Sequence, residues 1–98
     1  RLDEKSTQLE QGRLDVLELA QHTAASLQPK AEEKNLLLQV EGETAIVQGV
    51  QTILGEVLYN LAENAIHYTE KGSVVIRVKP NGNAVTIEVE DTGIGIPP

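Results

Sequence analysis

The chain has 98 residues, a formal net charge of −7 and no Cys, Phe, Trp or Met. Its length allows one small domain, whose core must be built from Leu, Val, Ile and Ala. Without cysteine it has no disulfide framework, thiolate nucleophile or Cys-based metal site. Its eight Lys and Arg residues are scattered singly, which argues against a nucleic-acid partner. It shows no membrane-length apolar run and no signal-peptide pattern, so we expect no membrane contact by this segment.

The first half of the chain is predicted to form a linker, a helix and two short strands. Residues 1–12 are polar and charged, and are predicted to be the frayed end of a preceding helix followed by a linker. Apolar residues then recur at helical spacing, which predicts an amphipathic helix at 14–34 that Pro29 kinks or divides. Strands at 36–41 and 45–48 follow, around a Gly-Glu-Thr turn.

The second half predicts a helix at residues 50–69 and then a hairpin with strands at 73–79 and 84–90. A turn on Asn81-Gly82 gives the hairpin one apolar face and one polar face. The predicted apolar pairs of this hairpin are Val78 with Val85, Ile76 with Ile87 and Val74 with Val89, and its polar face carries Arg77, Lys79, Thr86 and Glu88.

The order of elements along the whole chain predicts an α+β fold, a two-layer sandwich with helices on one face of a mostly antiparallel sheet.

One arc of the second helix is polar. Periodicity alone favours an ordinary solvent-facing side, but two Asn residues in mid-helix count against it, because Asn is a poor helix former. Asn60 and Asn64 are four residues apart, so their amides project side by side. An amide oxygen is a neutral hard ligand suited to Mg²⁺. His67 and Tyr68 could add donors to phosphate oxygens, or be a solvated histidine and an aromatic at the core edge.

Directly after the last predicted strand, the chain has an aspartate followed by two nearby glycines. Asp91 is acceptor-only when ionised and suits an exocyclic amine such as that of adenine, while Gly93 and Gly95 let a flat ligand approach the backbone. The simpler interpretation is a turn in which Asp and Gly serve geometry alone. Asp91-Thr92-Gly93 also matches the catalytic triplet of aspartic proteases, which we reject because only five residues follow it and the chain has two substantial helices.

Two motifs together resemble a known family. NLAENAIHYT at residues 60–69 and DTGIGIP at 91–97 resemble the N box and the first glycine box of sensor histidine kinases, separated by one hairpin. The match extends upstream to about Leu14. The resemblance implies the histidine kinase ATPase fold, incomplete, with residues 13–98 as a partial ATP-binding domain and residues 1–12 as the end of a dimerisation helix or linker.

The resemblance implies ATP and Mg²⁺ as cofactors. Asn64 would coordinate the metal, and Asn60 would lie on the same phosphate-side face. His67 and Tyr68 would line the phosphate site. His67 stands where the family usually has Lys or Arg, which weakens phosphate contact because histidine is mostly uncharged at neutral pH.

On the adenine side of the implied site, Asp91 would receive the adenine amine. Gly93 and Gly95 would shape the pocket wall and the hinge of the lid over the nucleotide. The chain ends at Pro98, before the family's lid and second glycine box, so we expect this fragment alone to be inactive.

The implied reaction is transfer of the γ-phosphate to a histidine on a separate dimerisation domain, with a response regulator downstream in two-component signal transduction. Gyrases, mismatch-repair ATPases and heat-shock chaperones place a water-activating Glu where this chain has Asn60, so hydrolysis is disfavoured. No catalytic residue is assigned, because the phosphoacceptor motif is absent and His22 is interpreted as an ordinary helix residue.

Two alternatives stay open at this point. One is a nucleotide-incompetent, protein-binding domain of the same fold, and the other is an anti-sigma-type serine kinase. The resemblance implies a cytoplasmic location, with a parent protein that could be anchored in the membrane.

Overall fold

The computed structural model describes residues 11–91. It contains β1 (Gln11–Asp15), α1 (Val16–Glu33), β2 (Leu37–Gly42), β3 (Ile46–Val50), α2 (Gln51–Tyr68), β4 (Ser73–Asn81) and β5 (Ala84–Asp91). β1 and β3 form an antiparallel pair, while β4 lies between β2, which is parallel to it, and β5, which is antiparallel. Both helices pack against the three-stranded sheet and against each other. The predicted α+β fold, with two helices on a mostly antiparallel sheet, is confirmed.

The first helix begins later than the sequence pattern predicted. Gln11 and Gly12 belong to β1 rather than to a linker, and Leu14 lies in β1 opposite Val47. α1 begins only after Asp15, whose Oδ1 accepts a hydrogen bond of 3.1 Å from the backbone N–H of Glu18. This N-cap satisfies one of the free donors of the first turn and so sets the start of the helix. The rest of the segment predicted to be a helix end and linker, residues 1–10, lies outside the described residues.

Pro29 does not divide α1, which runs without interruption to Glu33. Pro29 and Ala25 are both exposed. The carbonyl of Ala25, which loses its helical donor to the proline ring, is therefore on the side of the helix that water can reach. The opposite side of α1 is buried along its whole length, at Val16, Ala20, Ala24, Leu27 and Ala31.

The two short strands predicted around the Gly-Glu-Thr turn do not pair with each other. β2 pairs with β4 and β3 pairs with β1. The two strands separate after Gly42, which has φ +130 and lies so close to β4 that an added Cβ would be 2.1 Å from the carbonyl oxygen of Val78. A parallel pair requires a crossover connection, and β3 and α2 together provide the one between β2 and β4.

The predicted hairpin is present, but its predicted register was wrong by two residues. Val78 pairs with Ile87 and Ile76 pairs with Val89. The loop is Gly82-Asn83, with Gly82 at φ +66, whereas a turn centred on Asn81-Gly82 would require Asn81 to take a positive φ as well. A shift of two residues keeps every side chain on its face, so the apolar and polar faces remain as predicted.

The core lies between the helices and β4, the central strand. Val74, Ile76 and Val78 of β4 are completely buried, together with Leu27 of α1 and Ala62 of α2. On the polar face of the sheet, cross-strand ion pairs link β4 to both neighbours: Arg77 with Glu41, Glu88 and Glu90, and Lys79 with Glu88.

Candidate functional site

α2 positions the polar arc, and its observed bounds lie within one residue of the predicted ones at each end. Leu58, Ala62 and Ile66 are buried on one side of the helix. Because this buried side fixes the rotation of the helix about its axis, Asn60 and Asn64 face away from the core, and both are exposed. The sequence periodicity therefore predicted correctly that Asn60 and Asn64 lie on an exposed side of α2.

A cavity of about 490 Å³ lies between the C-terminal ends of α1 and α2. It brings together three of the predicted phosphate-side residues, Asn64, His67 and Tyr68. The rings of His67 and Tyr68 are in edge-to-face contact, with centroids 4.7 Å apart. Asn60 is exposed one turn earlier and does not line the cavity. The complete lining is Lys30, Glu33, Lys34, Glu63, Asn64, Ile66, His67 and Tyr68.

Two lysines at the C-terminal end of α1 line this site: Lys30 in the last turn and Lys34, the C-cap residue. The sequence analysis did not single out either. Lys30 forms an ion pair with Glu63, and the hydrogen bond that its ammonium donates to the Glu63 carboxylate is the main cause of the raised pKa of Lys30. The Nζ of Lys34 donates to the carbonyl oxygens of Ile66 and His67, at 2.7 and 2.8 Å. Both lysines are evident in the sequence, but their contacts with α2 are not.

Of the residues predicted to lie on the adenine side, Asp91 is within residues 11–91. Asp91 is the last residue of β5, where it is exposed and pairs with Val74. It does not line the cavity at the end of α2. Gly93 and Gly95, the predicted pocket wall and lid hinge, lie outside the described residues. The structure therefore brings together three of the four predicted phosphate-side residues, while Asp91 lies at the end of β5.

Thr69 directly follows Tyr68 and is only 1% exposed. Its hydroxyl oxygen has no hydrogen-bond partner among residues 11–91. Sequence reasoning did not identify this position, because a threonine at a helix end gives no sign of how deeply it will be buried. An unpaired buried hydroxyl is destabilising, which makes Thr69 a useful position for a stability test.

The residues around the cavity fit a nucleotide bound with Mg²⁺. Residues 11–91 contain no group of three or more His, Asp or Glu side chains that could hold a metal by themselves. Mg²⁺ commonly takes one or two protein ligands and completes its octahedron with phosphate oxygens and water. The amide oxygen of Asn64 can serve as such a ligand, and the hydroxyl of Tyr68 can donate to phosphate oxygens.

A second cavity, of about 350 Å³, lies where β1 meets α1 and the start of α2. Arg13, His22 and Gln51 are among the residues that line it. None of the predicted site residues lies there. No helix within residues 11–91 combines the length and the apolar character needed to cross a membrane.

Residues 49–98 match the family described as histidine kinase-, DNA gyrase B-, and HSP90-like ATPase. This segment contains α2, the hairpin and both of the motifs on which the resemblance was based. The chain belongs to this family of ATPase domains.

Sensor histidine kinases are among its relatives in sequence. It is 34% identical over 97 residues to the sensor histidine kinase YclK of Bacillus subtilis, covering 95% of this chain and 20% of that protein. It is 30% identical over 100 residues to the sensor histidine kinase RcsC of Escherichia coli, covering 99% of this chain and 10% of that protein. The chain thus spans a fifth or less of the length of these relatives.

Solved histidine kinase structures have the same fold. The catalytic domain of histidine kinase ThkA superposes with a TM-score of 0.79 at 25% identity, covering 90% of this chain and 62% of that one. Full-length ShkA in complex with AMPPNP gives a TM-score of 0.80 at 26% identity, covering 93% of this chain and 20% of that one. The resemblance to the ATP-binding domain of sensor histidine kinases is confirmed.

Proposed function

We propose that this chain binds ATP with Mg²⁺ and presents the γ-phosphate to a histidine on a separate dimerisation domain. The observation that carries the proposal is the cavity at the end of α2, which gathers Asn64, His67 and Tyr68. The complex of ShkA with the ATP analogue AMPPNP supports the choice of nucleotide. Bound Mg²⁺ would neutralise phosphate charge, as it does in other phosphoryl-transfer sites.

The side chains have separate roles in this proposal. Asn64 supplies the metal ligand, while His67 and Tyr68 orient the phosphates from the last turn of α2. Asp91 accepts a hydrogen bond from the adenine amine. The amide of Asn60 cannot remove a proton from water, so the site lacks a base at the position where the hydrolytic members of the superfamily place a glutamate. Phosphoryl transfer requires mainly positioning and charge stabilisation, which these residues supply.

The phosphoacceptor would come from another domain. The chain has two histidines: His67 is part of the proposed site, and His22 lines the separate cavity beside β1. A response regulator would act after the dimerisation domain. The solved complex of histidine kinase ThkA with the response regulator TrrA supports this class of partner; ThkA in that complex superposes with a TM-score of 0.78 at 27% identity, covering 98% of this chain and 30% of that one.

The direct test is calorimetric titration of the 98-residue chain with a non-hydrolysable ATP analogue, with and without Mg²⁺. We expect binding that depends on the metal. Asn64→Ala should remove this metal dependence, because it removes the proposed ligand. Its free energy of unfolding should change by less than about 1 kcal/mol, since Asn64 is exposed and alanine is the better helix former.

Glu56→Ala is the matched control for that experiment. Glu56 is exposed on the same polar arc of α2, two turns before Asn64, and does not line the cavity. We expect this variant to bind like the unmodified chain. If the folded chain shows no metal-dependent binding, the proposed function is wrong; if Asn64→Ala unfolds the domain, the polar arc has a structural role instead.

One observation favours a second candidate, a protein-binding domain of the same fold. Ile53, Val57 and Leu61 recur every four residues along α2, and about half of each side chain is exposed. They lie beside Asn60 and Asn64 on the helix surface. A folded chain that binds no nucleotide in the same titration would favour this candidate.

A further inference from the structure

α2 ends without the glycine that commonly closes a helix. Thr69 is extended there, with φ −92 and ψ 125, and its N–H donates to the carbonyl of Ala65. The last carbonyls of a helix have no donor within the helix. Lys34, which directly follows α1, supplies donors to two of them, the carbonyls of Ile66 and His67. A side chain at the end of the neighbouring helix therefore caps α2.

The end of α1 determines where Lys34 points. The N–H of Asn35 donates to Glu32, and the N–H of Leu36 donates to Ala31, at 3.0 and 2.9 Å. Asn35 has a left-handed backbone, with φ 59. These features form a Schellman motif in which Lys34 is the C-cap residue. The motif fixes the backbone from which the lysine side chain reaches across to α2.

We propose that Lys34 is a positioning residue for the phosphate side of the nucleotide site; this inference rests on the proposed function. The last turn of α2 carries His67 and Tyr68 and begins directly after Asn64. Two hydrogen bonds from one ammonium group restrain this turn against fraying. Lys34 thereby holds the phosphate-side residues in place from outside their own helix.

Lys34 also offsets an electrostatic difficulty of the site. The C-terminal end of a helix carries a partial negative charge, which disfavours a bound anion and favours a cation. The cavity lies at such an end, and its proposed ligand is a polyphosphate. The ammonium of Lys34 contacts the carbonyls that carry this partial charge, so its removal affects phosphate binding more than adenine binding.

Lys30 provides a matched control in the same cavity. It lies one turn earlier on α1 and carries the same charge, but it pairs with the side chain of Glu63 rather than with the backbone of α2. Removing Lys30 therefore deletes a positive charge from the cavity without removing the cap of α2.

The experiment compares Lys34→Met, Lys34→Arg and Lys30→Met by calorimetric titration of the 98-residue chain. Each variant is titrated with the Mg²⁺ complex of a non-hydrolysable ATP analogue and, separately, with adenosine. Lys34→Met should weaken binding of the analogue by about tenfold, as expected for loss of a supporting contact, and should change adenosine binding by less than about twofold. Lys34→Arg should restore most of the affinity, and Lys30→Met should cost less than about threefold.

Several outcomes would contradict a positioning role for Lys34. A parallel loss of both ligands in Lys34→Met would indicate general destabilisation, and an equal loss in Lys30→Met would indicate an effect of charge alone. Either result would overturn the positioning role, as would unchanged binding by Lys34→Met. A folded, unmodified chain that binds neither ligand would overturn the proposed function and this inference with it. If Lys34→Met fails to fold, Lys34→Gln is titrated instead: it keeps N–H donors without the charge, so it should retain most of the affinity for the analogue, and a loss confined to the analogue would indicate an effect of charge alone and overturn the positioning role.

Discussion

Replacing Gly42 with alanine would force a side chain into space that the backbone of β4 already occupies. The added Cβ would lie 2.1 Å from the carbonyl oxygen, 2.8 Å from the nitrogen and 2.9 Å from the carbonyl carbon of Val78. Val78 is completely buried in the central strand, so it cannot move away at low cost. The end of β2 must move instead, which also breaks the hydrogen bond of 3.2 Å from the N–H of Glu43 to Val78.

The magnitude follows from three contributions. A non-glycine residue held at this φ costs about 1–3 kcal/mol, forcing the backbone apart costs a similar amount, and the lost hydrogen bond adds about 1 kcal/mol. We expect Gly42→Ala to lower the free energy of unfolding by about 5 kcal/mol, a large share of the roughly 5–15 kcal/mol typical of a domain. For a domain of this size that corresponds to a melting temperature lower by about 20 °C.

Chemical denaturation followed by circular dichroism measures this change, and Gly82→Ala is the control. Gly82 also has a positive φ, of +66, but an added Cβ would meet no atom within 4 Å. This variant should cost only the left-handed backbone penalty, about 1–2 kcal/mol. If Gly42→Ala is no more destabilising than Gly82→Ala, the close approach of β2 to β4 does not constrain the sheet.

Three further predictions concern the proposed nucleotide site and the buried Thr69 at the end of α2. Asp91→Asn should weaken ATP binding by at least about tenfold, through loss of a charged acceptor, and leave GTP binding unchanged; equal weakening of both in a titration would contradict an adenine contact. His67→Lys should tighten Mg²⁺·ATP binding by about fivefold at low salt, because it places a permanent charge near the phosphates; an unchanged affinity would remove His67 from the phosphate site. Thr69→Val should raise the free energy of unfolding by about 1 kcal/mol, because residues 11–91 offer its buried hydroxyl no partner; destabilisation measured by denaturant would show that the hydroxyl is satisfied.

The candidate site was predictable to the extent that it depends on one helix. The spacing of Leu58, Ala62 and Ile66 fixes the buried side of α2, and thereby the direction of Asn64. Lys30 and Lys34 were missed because they enter from another helix, more than thirty residues away in the chain. No local pattern states which neighbour a basic side chain will meet.

The sequence by itself determined the extent of α2, the presence of the β4–β5 hairpin and its two faces, and the motifs that define the family. All of these depend on the chemistry of residues close together in the chain, where periodicity and turn residues act directly. The tertiary structure alone decided that β2 pairs with β4 while β3 pairs with β1, and that Lys34 caps α2. These contacts join distant segments, and packing of the two helices against β4 selects them from many pairings that the local patterns allow equally.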